Sequence, residues 1–211
     1  MAEGRLVKVL SDAVARGLRG RDLISIHDLS VEEVAKIFEV TTELKSGKGR
    51  GQRHCILAGK TLAMIFQKAS TRTRVSFEVA MWELGGYALF LNAQDLQLRR
   101  GETLADTARV LSRYVDGIMI RTFAHKDVEE LAEHADVPVI NGLTDLLHPC
   151  QALADYYTVL EHKGRTKGLK LAYVGDGNNV AHSLLLGAAK VGMDVAVASP
   201  EGYEPKEEIV R

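Results

Sequence analysis

What this sequence lacks narrows it before any motif is read. It has two cysteines, Cys55 and Cys150, in 211 residues. That is too few for a disulfide framework, and no second pair supplies zinc-ligand spacing. A reducing, cytoplasmic compartment is expected. Excess charge is missing as well: 27 Lys and Arg stand against 28 Asp and Glu, for a net charge of −1. General binding to nucleic acid or to an anionic membrane surface is therefore not expected, and any anion site must come from a local cluster of cations. No apolar run reaches the ~20 residues of a membrane span. The N-terminal stretch MAEGRLVKVLSDAVARGLRGRD has no apolar centre of the secretory kind. It is basic and can be drawn as amphipathic, but Glu3 and Asp12 argue against a transit peptide and for a surface helix. Repeats and low-complexity tracts are absent. What remains, 46% hydrophobic and 26% charged residues, suits a globular protein of one large or two small domains.

From Thr61 onward, short apolar runs alternate with helical patterns. TLAMIF (61–66), YALFLN (87–92), GIMIRT (117–122) and VPVIN (137–141) read as buried strands of a parallel sheet. Helices are expected between them, near 71–85, 103–114 and 126–135. An earlier helix starts at Ser30, with Glu33 completing a capping-box signature. This describes an α/β domain over residues 1–147. Past it, Pro149 suits a first helical position, and Leu153, Tyr156, Tyr157 and Leu160 form a stripe to be buried. LKLAYVG, a glycine turn, a helix to Val191 and DVAVAS then make a second βαβ unit, over residues 148–211. One such unit cannot bury both faces of its sheet. The expected fold class is α/β with two doubly wound parallel-sheet domains, the second incomplete by on the order of 100 residues.

Ligands in open α/β sheets sit beyond the carboxyl ends of the strands. Here KASTRTR follows the first strand and Gln97, in NAQDLQLRRGE, follows the second. Arg121 ends the third, and His148 and Gln151 follow the fourth in NGLTDLLHPCQ. Each has a plain structural reading: an ion pair for an arginine, a helix cap for His148, solvent exposure for Gln97. STRTR is the sharpest signal. With Ser70 or Thr71 as the cap, Arg72 and Arg74 fall in the first helical turn, where a cation costs about 0.3–1 kcal/mol. Free backbone N–H groups, the hydroxyls of Ser70, Thr71 and Thr73, and a guanidinium form a phosphate cradle, and the bound anion offsets that cost. Residues two apart do not share a helix face. Arg72 is therefore assigned to the ligand and Arg74 to an ion pair, with Glu78 or Glu83 in reach. His148 and Gln151, three apart, can face one site. An imidazole donor and an amide suit a carbonyl and its attached NH2 group, and Arg121 joins His148 in polarising that carbonyl.

STRTR (70–74) resembles the carbamoyl-phosphate loop of the aspartate/ornithine carbamoyltransferase superfamily, and HPCQ (148–151) resembles its His-Pro-x-Gln motif. The likeness extends through GETLADTARVLSRYVDGIMIRT and covers nearly all of residues 21–205. In the second unit, LAYVGDGNNVAHSLLLGAAKVGMDV and QALADYYTVLEHKG are similar to the ornithine branch; the aspartate branch usually has a His-Ser-Arg type sequence where GNN stands. The resemblance implies two domains with the active site in their cleft. It also implies carbamoyl transfer from carbamoyl phosphate to the side-chain amine of ornithine, giving citrulline and phosphate with no cofactor and no metal, as in arginine biosynthesis or a urea-type pathway. Arg121, His148 and Gln151 would be catalytic; Ser70, Thr71, Arg72, Thr73, Gln97 and Asn179 would complete the substrate contacts, Asn179 holding the amino-acid part of ornithine. A homo-oligomer, commonly a trimer, is implied, with a neighbour's loop bearing the Gln97 position reaching in. There are departures. Gln67 stands where ornithine enzymes commonly have Glu, and Arg99 where Gly is often seen. A later Asp, a Ser-Met-Gly loop and a His-Cys-Leu-Pro motif are not among these residues, so by this comparison the chain alone would bind carbamoyl phosphate weakly and would not turn over.

Two other classes compete. Gly175-Asp-Gly177, with Ala181, resembles part of the dinucleotide fingerprint of a nicotinamide-linked dehydrogenase. However, Ser199 and Pro200 stand where an acidic ribose ligand belongs, with Glu201 just beyond, and STRTR and HPCQ are given no role. The other is a non-catalytic relative, a binding or assembly subunit that kept the phosphate loop.

Overall fold

The computed structural model describes residues 9–10, 12–49 and 54–211. Residues 1–8 and 11 of the N-terminal stretch read as a surface helix, and the side chain of Arg99, lie outside the described residues. A short helix, Ala13–Gly17 (α1), is capped by Asp12, whose Oδ1 accepts from the Ala15 amide at 2.9 Å. Val31–Gly49 (α2) opens on the expected capping box: the Glu33 amide donates to Ser30 Oγ at 3.2 Å, and the Ser30 amide donates to Glu33 Oε2 at 2.8 Å.

Four strands follow, Thr61–Phe66 (β1), Tyr87–Asn92 (β2), Gly117–Arg121 (β3) and Val139–Leu143 (β4), all parallel in the order β2-β1-β3-β4. Helices Thr71–Glu83 (α3), Leu104–Leu111 (α4) and His125–His134 (α5) connect them. Because every strand runs the same way, their carboxyl ends share one rim: Phe66 pairs with Asn92 on one side and Arg121 on the other, and Arg121 pairs with Leu143. β1 and β3 are buried through their length, as read. The expected burial of β2 is corrected: it is the sheet's edge, with Tyr87 and Phe90 exposed. β4 begins two residues later than expected and continues through Asn141 and Gly142. Asn-Gly usually marks a turn, but here the glycine admits β3: a Cβ on Gly142 would run into Met119.

Past β4 come Pro149–Lys163 (α6), Lys170–Val174 (β5), Asn179–Val191 (α7), Asp194–Ala198 (β6) and Glu207–Val210 (α8), with β5 and β6 parallel. Its helices do not stand alone. Val34 and Phe38 of α2, Leu153, Tyr156 and Tyr157 of α6, and Leu184 and Ala188 of α7 form one core. Each such buried side chain contributes about 1.5–3 kcal/mol. Tyr156 packs where a Cβ on Gly187 would sit. Leu171, Tyr173 and Val195 turn one face of the small sheet onto this core. Ala172, Val174, Ala196 and Ala198 are exposed on the other, as expected of one βαβ unit. α6 and α7 are thereby fixed against the first sheet, and their N-termini meet its rim.

Candidate active site

The loop between β1 and α3 is positioned from two sides. The Gln67 amide donates to the Arg121 carbonyl at 2.9 Å, tying the end of β1 to the end of β3. Ser70 caps α3, accepting from the Thr73 amide at 3.2 Å, and its hydroxyl also donates to Thr73 Oγ1 at 3.1 Å. The Thr73 hydroxyl keeps its own proton for a ligand. A helix leaves its first amides without internal partners; with Thr73 taken by the cap, Thr71 and Arg72 offer theirs outward. Arg72 is exposed. Arg74 turns towards β2, its Nε donating to Glu78 Oε1 at 3.0 Å while its guanidinium lies 3.6 Å from the Phe90 ring centroid. The two arginines thus occupy different faces. A cleft of about 530 Å³ opens beside the loop on the β2 side, lined in part by Ser70, Thr71, Arg74, Phe90 and Asn92 but not by Arg72.

Arg121 and His148 meet across the rim from this loop. Burial, and then the charge of Arg72, lowers the pKa of Arg121 from its ordinary value. Burial, and then the charge of Arg121, pushes His148 down to about 4. Arg121 thus feels the charge of Arg72, and His148 that of Arg121, so that His148 is a neutral imidazole at pH 7. His148 is the N-cap residue of α6, with Pro149 in the first helical position, yet its side chain makes no capping bond. Its Nδ1 and the Nε of Arg121 are buried without a hydrogen-bond partner. Buried polar atoms are rarely left so, and two of them at one strand rim point to a ligand.

Gln151 lies on the first turn of α6, its Nε2 donating to Asp155 Oδ1 at 2.9 Å. Asn179, the first residue of α7, donates from Nδ2 to the Thr144 carbonyl at 2.6 Å. Two neighbours on that helix, His182 and Ser183, hold the same loop: His182 Nδ1 donates to the Leu146 carbonyl at 2.9 Å, and the His148 amide donates to Ser183 Oγ at 2.7 Å. Gln97 is not brought to this cluster. β2 and β4 lie at opposite edges of the sheet, and the Gln97 side chain is exposed on the turn past β2.

Sequence reasoning missed the supports. Ser183 sits in an apolar helix run, 35 residues from the amide it accepts from, and no local pattern announces that. The Thr122 hydroxyl lies 2.8 Å from Gln67 Oε1 and 2.7 Å from Asp127 Oδ2, donating to one at a time. Gln67 was marked only as a departure, and the strand-end position of Thr122 was the available signal. Cys150, between His148 and Gln151, is no nucleophile: burial pushes its thiol up to about 11. Among the described residues, no group of His, Cys, Asp and Glu has the make-up of a metal site.

The other glycine turn, after β5, is closed. Asn178 Oδ1 accepts from the Val180 and Ala181 amides at 2.9 and 3.2 Å, filling the start of α7. The Gly177 amide donates to the Tyr203 carbonyl at 2.6 Å, and a Cβ on Gly177 would overlap the Glu204–Pro205 backbone. The chain itself stands where a dinucleotide's pyrophosphate would lie, which removes the dehydrogenase reading.

Residues 21–161 match the family described as aspartate/ornithine carbamoyltransferase, carbamoyl-P binding domain, and residues 167–211 match its Asp/Orn binding domain. The ornithine carbamoyltransferase of Pyrococcus abyssi is 66% identical over 194 residues, 92% of this chain and 61% of that protein. An anabolic ornithine carbamoyltransferase of Pyrococcus furiosus is 65% identical over 92% of this chain and 62% of its own length. A solved ornithine carbamoyltransferase from that organism superposes with a TM-score of 0.90, covering 92% of this chain and 62% of the other. One from Thermus thermophilus, 43% identical, gives 0.84 with 90% and 65% covered. The chain thus spans about three fifths of the length of its curated relatives. With both domain models matched along it, the chain belongs to the aspartate/ornithine carbamoyltransferase family.

Proposed function

We propose that the protein transfers the carbamoyl group of carbamoyl phosphate to the side-chain amine of L-ornithine, giving L-citrulline and phosphate. The observation that carries this is the pair of unpartnered buried atoms, Arg121 Nε and His148 Nδ1, beside the outward amides of α3. Ser70, Thr71 and Arg72 hold the phosphate. The unprotonated amine attacks the carbonyl carbon, and Arg121, neutral His148 and the Thr73 hydroxyl stabilise the tetrahedral oxyanion. A positioned donor of this kind is worth about 10²–10³ in rate. Gln151 orients the carbamoyl NH2; the bond to phosphate then breaks, and the proton shed by the attacking amine ends on the departing phosphate, directly or through solvent. Asn179 faces the amino-acid end of ornithine, and holding both substrates in one cleft contributes through orientation. The carbamoyl-phosphate part is residues 1–147, and residues 148–211 begin the ornithine part.

We assign the working form to a homotrimer, with Gln97 serving a neighbour's site. Its exposed position at the far edge from His148 fits that role. Val75, Val79 and Trp82, one stripe of α3, are exposed beside Tyr87 of edge strand β2, and such apolar edges favour burial against another copy. A cytoplasmic setting and arginine biosynthesis follow from the same reading. Titration calorimetry with carbamoyl phosphate should give binding that Arg72→Ala removes. A version extended to its relatives' full length should form citrulline and phosphate from carbamoyl phosphate and ornithine, and failure to do so refutes the transferase reading.

A further inference from the structure

Asp155 is a half-buried carboxylate on α6, one turn beyond Gln151. Its hydrogen bond is from Gln151 Nε2, at 2.9 Å, and among the described residues no Lys, Arg or His forms an ion pair with it. Burial raises its pKa, partly countered by that hydrogen bond. A half-buried acid without a cation needs another reason to be there. The chemistry of the bond supplies one. A carboxylate only accepts, so the Gln151 amide has a single compatible orientation, with its NH2 turned to Asp155 and Oε1 left free.

We propose that Asp155 is a positioning residue that fixes the Gln151 amide with its oxygen outward, so that the site selects an acyl phosphate bearing an NH2 group over one bearing a methyl. This rests on the carbamoyl-phosphate reading above. An outward Oε1 accepts from the NH2 of carbamoyl phosphate. Against the methyl of acetyl phosphate the same oxygen loses its partner, and a site built to hydrogen-bond one group rejects the analogue that lacks it. Without Asp155 the amide is free to rotate and present its own NH2 to the ligand's NH2, donor against donor.

The test is calorimetric titration of the 211-residue chain with carbamoyl phosphate, acetyl phosphate and inorganic phosphate. The unaltered chain should prefer carbamoyl over acetyl phosphate by about tenfold. Asp155→Asn should lose most of that preference while keeping its affinity for inorganic phosphate. In a Gln151→Leu background, adding Asp155→Asn should change nothing further. A preference that survives Asp155→Asn overturns the proposal, as does an equal loss for all three ligands, which marks a merely structural role. Absence of any phosphate binding by the unaltered chain overturns the carbamoyl-phosphate reading, and this inference with it.

Discussion

The chain has two strand-to-helix turns that a phosphate could enter, after β1 and after β5, and they are built to opposite ends. After β1, one serine caps the helix, two amides face outward, and Arg72, Arg121 and His148 crowd the opening. After β5, Asn178 takes two amides and the 203–205 backbone lies on Gly177. Glycine content would have ranked them the other way, since the second turn is the richer in glycine. What separates them is where unpaired donors remain. The first turn keeps unpaired donors beside the like charges of Arg72 and Arg121, which an anion would relieve; the second is already satisfied by its own chain.

That contrast can be broken or sharpened by substitution. The largest effect should follow Arg72→Ala, which removes a charge-assisted contact from the open turn. Phosphate affinity should fall about a hundredfold by calorimetry with the fold intact. Next, Gly177→Ala forces a methyl into the Glu204–Pro205 backbone and should destabilise by roughly 1–3 kcal/mol in chemical denaturation, without touching phosphate affinity.

Stability should also depend on pH through His148. Its folded-state pKa of about 4 lies below the ordinary 6.5. Between those values the unfolded chain binds a proton that the folded chain does not, so stability falls as pH drops from about 6.5 to about 4 and levels off below. The loss, discounted for partial exposure, should be about 1–2 kcal/mol. His148→Asn should flatten that segment of the profile.

Asn178→Ala removes the cap of the closed turn and should cost about 1 kcal/mol with phosphate binding unchanged. Ser70→Ala, at the open turn, should lower both. Smallest is Arg74→Ala, which breaks an exposed i,i+4 pair and a ring contact; about 0.5–1 kcal/mol of stability should go, and phosphate affinity should stay. Loss of phosphate binding there instead of at Arg72 would reverse the face assignment.

Much of this was legible because apolar periodicity and capping are local. β1 and β2 fall at the residues their apolar runs mark, and the Ser30–Glu33 box closes as its spacing requires. Arg72 and Arg74 were separable because a helix does not point residues two apart the same way. What local pattern could not carry was neighbourhood. That β2 is the edge follows from strand order, which periodicity does not encode. Gly142 continues β4 because Met119 of the adjacent strand fills its empty side. Ser183, Thr122 and Asp155 support the site from polar positions that look ordinary in sequence, since their partners are set by packing or by what the partner must present.

The most direct test follows the backbone amides of both turns by NMR while inorganic phosphate is added. The Thr71, Arg72 and Thr73 amides should shift in a saturable way, together with the His148 ring, while Gly177, Asn179 and Val180 stay still. Shifts at Gly177 and Asn179 with none at Thr71 and Arg72 would contradict the account.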